Sequence, residues 1–294
     1  MVKQKFTGTG VAIITPFRND GSIDFKSLPK LLEHLISNGI DYLVVLGTTG
    51  ESVTLSKDEK QAVVSYVVEV VGKRVPIVIG MGGNNTQDIV NNINSNDFEN
   101  IDAILSVAPY YNKPSQQGLY QHFKSIASAS PVPVIIYNVP GRTSSNISAE
   151  TTVKLAREVK NIIAVKEASG DMGQIMKIIK NKPANFQVIS GDDELTLPII
   201  AVGGAGAISV VANAFPYEFS GMVNYAFKND MLKANELHYK LSDLVSALFE
   251  EGSPSGIKAS LEIMKICPNN LRLPLLPVSS NHYDKLSEII KKLK

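Results

Sequence analysis

Eight short runs rich in valine, isoleucine and leucine recur along this 294-residue chain, each followed by a longer segment whose apolar positions have helical spacing. A strand that is apolar on nearly every residue must be covered on both faces, and a helix following each strand supplies that cover. The runs are Gly10 to Thr15, Tyr42 to Leu46, Pro76 to Gly80, Ala103 to Val107, Val134 to Asn138, Ile162 to Glu167, Gln187 to Gly191 and Gly206 to Val211. Between them, Ser56 to Val71 is the clearest helix. Ser56 and Glu59 have the spacing of a capping box, and Gly72 follows the last apolar position.

An open doubly wound sheet gives the same alternation, but eight units with no evident break in register favour closure, and the length is near that of a complete α/β barrel. The expected fold is therefore α/β, a (β/α)8 TIM barrel over residues 1–228. After an eighth helix near Tyr217 to Lys228, helical sequence continues from Met231 to Phe249, Ile257 to Ile266 and Tyr283 to Leu293. These predict a small C-terminal helical appendage over residues 229–294, packed on the barrel.

Charge narrows the partners. With 29 basic and 28 acidic side chains the chain has no bias toward nucleic acid or a membrane surface. Cys267 is the only cysteine, which rules out an intramolecular disulfide and a thiolate metal cluster. Residues Met1 to Phe6 lack the apolar run of a secretory leader, and no run of about 18 apolar residues follows. We expect a cytoplasmic protein. No metal or cofactor is expected either: His34, His122, His238 and His282 are scattered, and phosphate-loop, dinucleotide and serine-elbow motifs are absent.

In such a barrel the chemistry lies where the strands end. The second run leads into Gly47-Thr48-Thr49-Gly50-Glu51, the fourth into Pro109-Tyr110-Tyr111-Asn112 and the fifth into Tyr137-Asn138-Val139-Pro140-Gly141-Arg142. The sixth contains Lys166-Glu167, and the seventh ends in Gly191-Asp192-Asp193. An ammonium at Lys166 would be carried into an apolar interior, where desolvation lowers its pKa and yields the neutral amine that forms a Schiff base. A structural salt bridge with Glu167 or another carboxylate is the alternative for a lone strand lysine. Thr48, Thr49, Tyr111 and Tyr137 supply hydroxyls for proton transfer, although each tyrosine alone also fits an ordinary core position. Amides of the Gly47–Gly50 turn can hold a carboxylate. Arg142 is either a bidentate clamp for a second carboxylate or a solvated loop arginine. Gly203-Gly204-Ala205-Gly206 precedes a strand, so it reads as a helix-to-strand turn and not as a phosphate cradle.

Taken together, these motifs resemble the pyruvate-dependent class I aldolase superfamily over nearly the whole chain. The resemblance rests on Gly47-Thr48-Thr49-Gly50-Glu51, Tyr137 five residues before Arg142, Lys166-Glu167-Ala168-Ser169-Gly170, Ser190-Gly191-Asp192-Asp193 and Gly206-Ala207-Ile208-Ser209-Val210. Within it, Thr48-Thr49, Tyr110-Tyr111 and Asn138 to Thr143 are most similar to the dihydrodipicolinate synthase family; sialic acid lyases lack the Tyr-x-x-x-x-Arg arrangement.

The resemblance implies a Schiff-base condensation of pyruvate with L-aspartate 4-semialdehyde to 4-hydroxy-tetrahydrodipicolinate, the committed step toward diaminopimelate and lysine. It implies Lys166 as nucleophile, with Tyr137, Thr48 and Tyr111 as the proton relay. Thr49 would hold the pyruvate carboxylate with Thr48, Arg142 would hold the semialdehyde carboxylate, and Gly191 and Ile208 would line the pyruvate pocket. The residue matching Tyr111 enters a neighbouring subunit's site in that family, so self-association is expected, a dimer at minimum or a tetramer. Lysine-inhibited members bind lysine near positions matching Ser52, Val53, Lys57, Lys60, Asn84, Asp88 and Tyr110. Here Lys57 and Lys60 stand where sensitive members often carry histidines, and their cations predict weak or absent inhibition. Ser253-Pro254 replaces the Asn-Pro of many members. Another pyruvate aldolase, for N-acetylneuraminate or a 2-keto-3-deoxy sugar acid, is the alternative activity, and a non-catalytic carboxylate-binding barrel is a third reading.

Overall fold

The computed structural model describes residues 5–293. Met1 to Gln4, where most of the expectation of no leader rests, and Lys294 lie outside the described residues.

Eight parallel strands close into a barrel in chain order: β1 Gly8–Ala12, β2 Tyr42–Val45, β3 Ile77–Gly80, β4 Ala103–Val107, β5 Val134–Asn138, β6 Ile162–Glu167, β7 Gln187–Ser190 and β8 Gly206–Ser209. The helices α1 Leu28–Ser37, α2 Lys57–Val71, α3 Thr86–Ser95, α4 Gln116–Ala129, α5 Pro140–Thr143, α6 Ala149–Glu158, α7 Met172–Asn181, α8 Thr196–Ala201 and α9 Pro216–Phe227 follow the strands in turn. Three more follow among the described residues, α10 Met231–Glu250, α11 Ser255–Ile263 and α12 Ser280–Leu293, with α10 packed along α9 and α12 against α10 and α11.

Alternation along each strand sorts the core in two. Tyr42, Val44, Ile135, Tyr137, Ala164, Ile189 and Ile208 fill the barrel interior with Phe6 and Ala12. Their neighbours Leu43, Val45, Val134, Ile136, Val165 and Val188 pack outward against the helices. This two-sided burial is why the strands are apolar throughout. At the closing seam Gly8 pairs with Gly206, and a Cβ on Gly206 would stand 1.9 Å from the Gly8 carbonyl oxygen. Only a glycine lets the first and last strands meet there.

The ends of the elements depart slightly from expectation, for identifiable reasons. β8 stops at Ser209 because the Val210 and Val211 amides donate to the Asp193 carboxylate, at 3.0 and 2.8 Å. β1 runs from Gly8 to Ala12, not Gly10 to Thr15: Ile14 already donates to the Asn213 side chain. The α2 capping box is formed, with the Glu59 amide donating to Ser56 Oγ at 3.2 Å and the Ser56 amide to Glu59 Oε2 at 2.9 Å. Such a cap stabilises a helix start by about 1 kcal/mol. Gly203 to Ala205 links α8 to β8, a helix-to-strand turn as its position indicated.

Candidate active site

Lys166 owes its place to strand parity. Ala164 points into the barrel and Val165 out to the helices, so Lys166 points in and Glu167 out. The lysine is 5% exposed and lies near the carboxyl ends of the strands. Burial is the main cause that brings its pKa down to about 8; the Asp193 carboxylate opposes this, and the Arg142 cation adds to it. Its Nζ is 4.3 Å from the centre of the Tyr137 ring, the register partner on β5. Tyr137 is itself buried, and burial pushes its phenol up to about 12 against the pull of Arg142.

The salt bridge weighed for Lys166 and Glu167 is not made. Glu167, on the other face of the sheet, accepts hydrogen bonds from Asn138 Nδ2, at 3.0 Å to each oxygen, and from Gln174 Nε2 at 2.7 Å. Asn138 Oδ1 in turn accepts from the Ile147 amide at 2.9 Å. This buried cluster ties the ends of β5 and β6 to α7, directly behind Tyr137 and Lys166. A buried carboxylate is tolerated when its oxygens are filled in this way.

The turn after β2 is a 3-10 helix over Thr48–Gly50, ended by Glu51 in the left-handed conformation with φ of 51°. Thr49 is buried and Thr48 exposed, and both line a crevice of about 1350 Å³ with Lys166, Tyr137, Arg142 and Gly191. Gly191 is required by Lys166, because a Cβ there would lie 2.8 Å from Lys166 Cε and 2.8 Å from the Ala168 Cβ. Arg142 stands on α5, a single helical turn, and is exposed at the rim.

Two members of the expected set do not line the crevice of their own chain. Ile208 is 1% exposed in the barrel interior, two residues before Val210, which does line the crevice. Tyr111 is 87% exposed, with φ of 73°, and does not line its own chain's crevice. Of the positions matching the lysine site, Ser52, Val53, Lys57, Lys60 and Tyr110 line the same crevice. Asn84 lines a separate shallow hollow beside α3, and Asp88 Oδ2 accepts from Asn85 Nδ2 at 2.8 Å. Three of the histidines are engaged with the fold: the imidazoles of His34, His122 and His282 contact Ala214 O, Thr86 Oγ1 and Ala247 O.

Asp193 was not singled out from sequence beyond its motif. It is buried, and burial raises its pKa although the Val211 amide, Ser209 and the Val210 amide hold its charged form. It is the carboxylate that most opposes the loss of charge at Lys166. Its signal was the Asp192-Asp193 pair at a strand end, but which of the two turns inward is a matter of loop geometry.

A buried strand lysine facing a tyrosine at the mouth of a parallel barrel, with an arginine at the rim, defines a lysine-centred barrel of the aldolase class. The chain belongs to the dihydrodipicolinate synthetase family, whose family model matches residues 5–293. It is 52% identical over 286 residues to the 4-hydroxy-tetrahydrodipicolinate synthase of Parabacteroides distasonis, covering 97% of this chain and 96% of that protein. To the Bacillus subtilis enzyme of the same name it is 43% identical over 288 residues, covering 98% and 99%. Among solved structures, the dihydrodipicolinate synthase of Thermotoga maritima superposes with a TM-score of 0.96 at 38% identity, covering 99% of each chain.

Proposed function

We propose that this protein is a lyase that condenses pyruvate with L-aspartate 4-semialdehyde to 4-hydroxy-tetrahydrodipicolinate, the committed step of diaminopimelate and lysine biosynthesis. The observation that carries this reading is Lys166, an amine held largely dry at the barrel mouth and beside the Tyr137 ring. A pKa of about 8 leaves enough neutral amine near neutral pH for attack on a ketone.

Lys166 adds to the C2 ketone of pyruvate, and the carbinolamine loses water to give the imine. Thr48 and Thr49 hold the pyruvate carboxylate, and Tyr137 moves protons between the attacked oxygen and the hydroxyl chain. Loss of a methyl proton gives the enamine, which attacks the aldehyde carbon while Arg142 holds the semialdehyde carboxylate. The amino group of that substrate then displaces Lys166 by transimination as the ring closes, and the free lysine is restored.

In this reading Tyr111, exposed on its own chain, completes the relay of a second copy, so the minimum working unit is a dimer. A solved relative at 38% identity is described as the first monomeric dihydrodipicolinate synthase variant, which makes self-association a property to measure here. We place the reaction in the cytoplasm, in keeping with a biosynthetic role; among the described residues no helix is long and apolar enough to cross a membrane.

The test is borohydride reduction with pyruvate followed by peptide mapping, together with a condensation assay on pyruvate and aspartate semialdehyde. Trapping at Lys166 and turnover of that pair are expected. An unmodified Lys166 would exclude the mechanism, and efficient cleavage of N-acetylneuraminate without condensation would move the protein to the sister activity.

A further inference from the structure

The carboxylate of Glu51 turns away from the crevice into a buried ion pair with Lys258 on α11, and neither side chain is exposed to solvent. Glu51 Oε2 also accepts the Arg272 amide at 3.1 Å. Lys258 Nζ donates to the Asn270 carbonyl at 2.8 Å and lies 4.2 Å from the centre of the Phe17 ring. The Arg272 guanidinium covers the same ring at 4.6 Å, donates to the Thr54 carbonyl at 2.9 Å and pairs with Glu59 at the start of α2. Asn270 Nδ2 donates to the Phe17 carbonyl at 3.0 Å.

These contacts converge on one short segment. The Glu51 amide donates to the Thr48 carbonyl at 3.1 Å and closes the 3-10 turn that presents Thr48 and Thr49. Thr15 Oγ1 donates to the Gly50 carbonyl at 2.7 Å from the other side. Glu51 also occupies the left-handed region, which a residue with a side chain enters only when its surroundings hold it there. Lys258 and the Arg272 amide are the groups that hold its carboxylate. If surface charge were all that mattered, Glu51 would lie at the rim. Instead its burial fixes the direction of the turn.

We propose that Glu51 and Lys258 are positioning residues, through which the C-terminal helices set the distance of the Thr48–Thr49 turn from Lys166. The proposal rests on the reading that this turn binds the pyruvate carboxylate. Neither residue touches the substrate; both act through the backbone of the turn.

Removing one buried charge strands the other, so the first variant is the double neutral replacement Glu51→Gln with Lys258→Met, which leaves no unpaired charge in the buried site. Borohydride-trappable imine at Lys166 is measured against pyruvate concentration and pH, alongside the melting temperature. The expected result is a folded protein whose half-saturating pyruvate rises about tenfold or more, because the carboxylate site has moved. The pH midpoint of imine formation, set by Lys166, stays where it was. Half-saturation equal to the parent's in a folded double variant overturns the proposal. No imine in the parent defeats the pyruvate reading instead, so the two failures are distinct. If the double variant does not fold, Glu51→Asp is read in its place. It keeps both buried charges but draws the carboxylate back by one methylene from Lys258 and the Arg272 amide, so the turn must shift to restore the pair. A several-fold rise in half-saturation is expected, and none overturns the proposal.

Discussion

Tyr137 and Lys166 are register partners on neighbouring strands, and the lysine Nζ lies 4.3 Å from the centre of the tyrosine ring. The pairing serves two ends. The ring face shields the amine from water, which favours its neutral form, and its quadrupole still attracts the ammonium when that form is present. Because side chains alternate along a strand, a slip of one residue in either strand would separate the two.

The pH dependence of imine formation follows from the Lys166 amine. With its pKa near 8, the neutral fraction should rise about tenfold for each pH unit below that value and level off above it. Stopped-flow or quenched borohydride trapping with pyruvate, over roughly pH 6 to 9, reads this directly. A rate that stays flat across the range would mean that the amine is not the group being titrated.

Lys166→Met should stabilise the fold while removing imine formation. In the unfolded chain the lysine titrates near 10.5 and in the folded chain near 8, so the folded state binds fewer protons and burial costs stability. That cost, about 3 kcal/mol at most, is complete below pH 8 and falls to zero as pH rises to 10.5. Denaturant titrations of both proteins should therefore show a gain at pH 7 that has largely gone by about pH 10.5. A less stable variant at pH 7 would contradict the assigned cause.

Gly191→Ala tests the packing around the amine. Its added methyl would stand 2.8 Å from Lys166 Cε, and the lysine must swing aside. Misplacement of about 1 Å at a reacting atom costs on the order of 100-fold, and a loss of that size in condensation rate is expected with the fold retained. Parent-like turnover would mean that Lys166 has more room than the structure gives it.

L-Lysine should inhibit weakly or not at all. Lys57 and Lys60 line the crevice beside Ser52 and Val53, and two fixed cations there disfavour a cationic ligand. The condensation assay with added lysine reads this, and inhibition below the millimolar range would overturn it. Lys57→His with Lys60→His should then raise sensitivity if charge is the reason.

Much of the barrel is a local property of the chain. Strand and helix follow from apolar spacing over a dozen residues, and the α2 capping box from Ser56 and Glu59 three positions apart. Even the inward aim of Lys166 is contained in its two-residue spacing from Ala164. What those patterns could not convey are contacts between segments far apart along the chain. The Arg272 amide reaches Glu51 across 221 residues, and no periodicity records that. The same holds for depth: Ile208 and Val210 look equivalent as apolar residues of one run, yet Ile208 is enclosed in the barrel interior while Val210, past the end of β8, lines the crevice.

The sequence by itself determined the alternation that closes the barrel and the chemistry available at its mouth, because both depend on residue type and short-range spacing. Only the tertiary structure decided that Glu167 turns to Asn138 and Gln174, that Tyr111 stands clear of its own crevice, and that Glu51 is locked to Lys258. Those outcomes depend on which distant segments share the buried space, where an unpaired charge is most costly and each partner must be found in three dimensions.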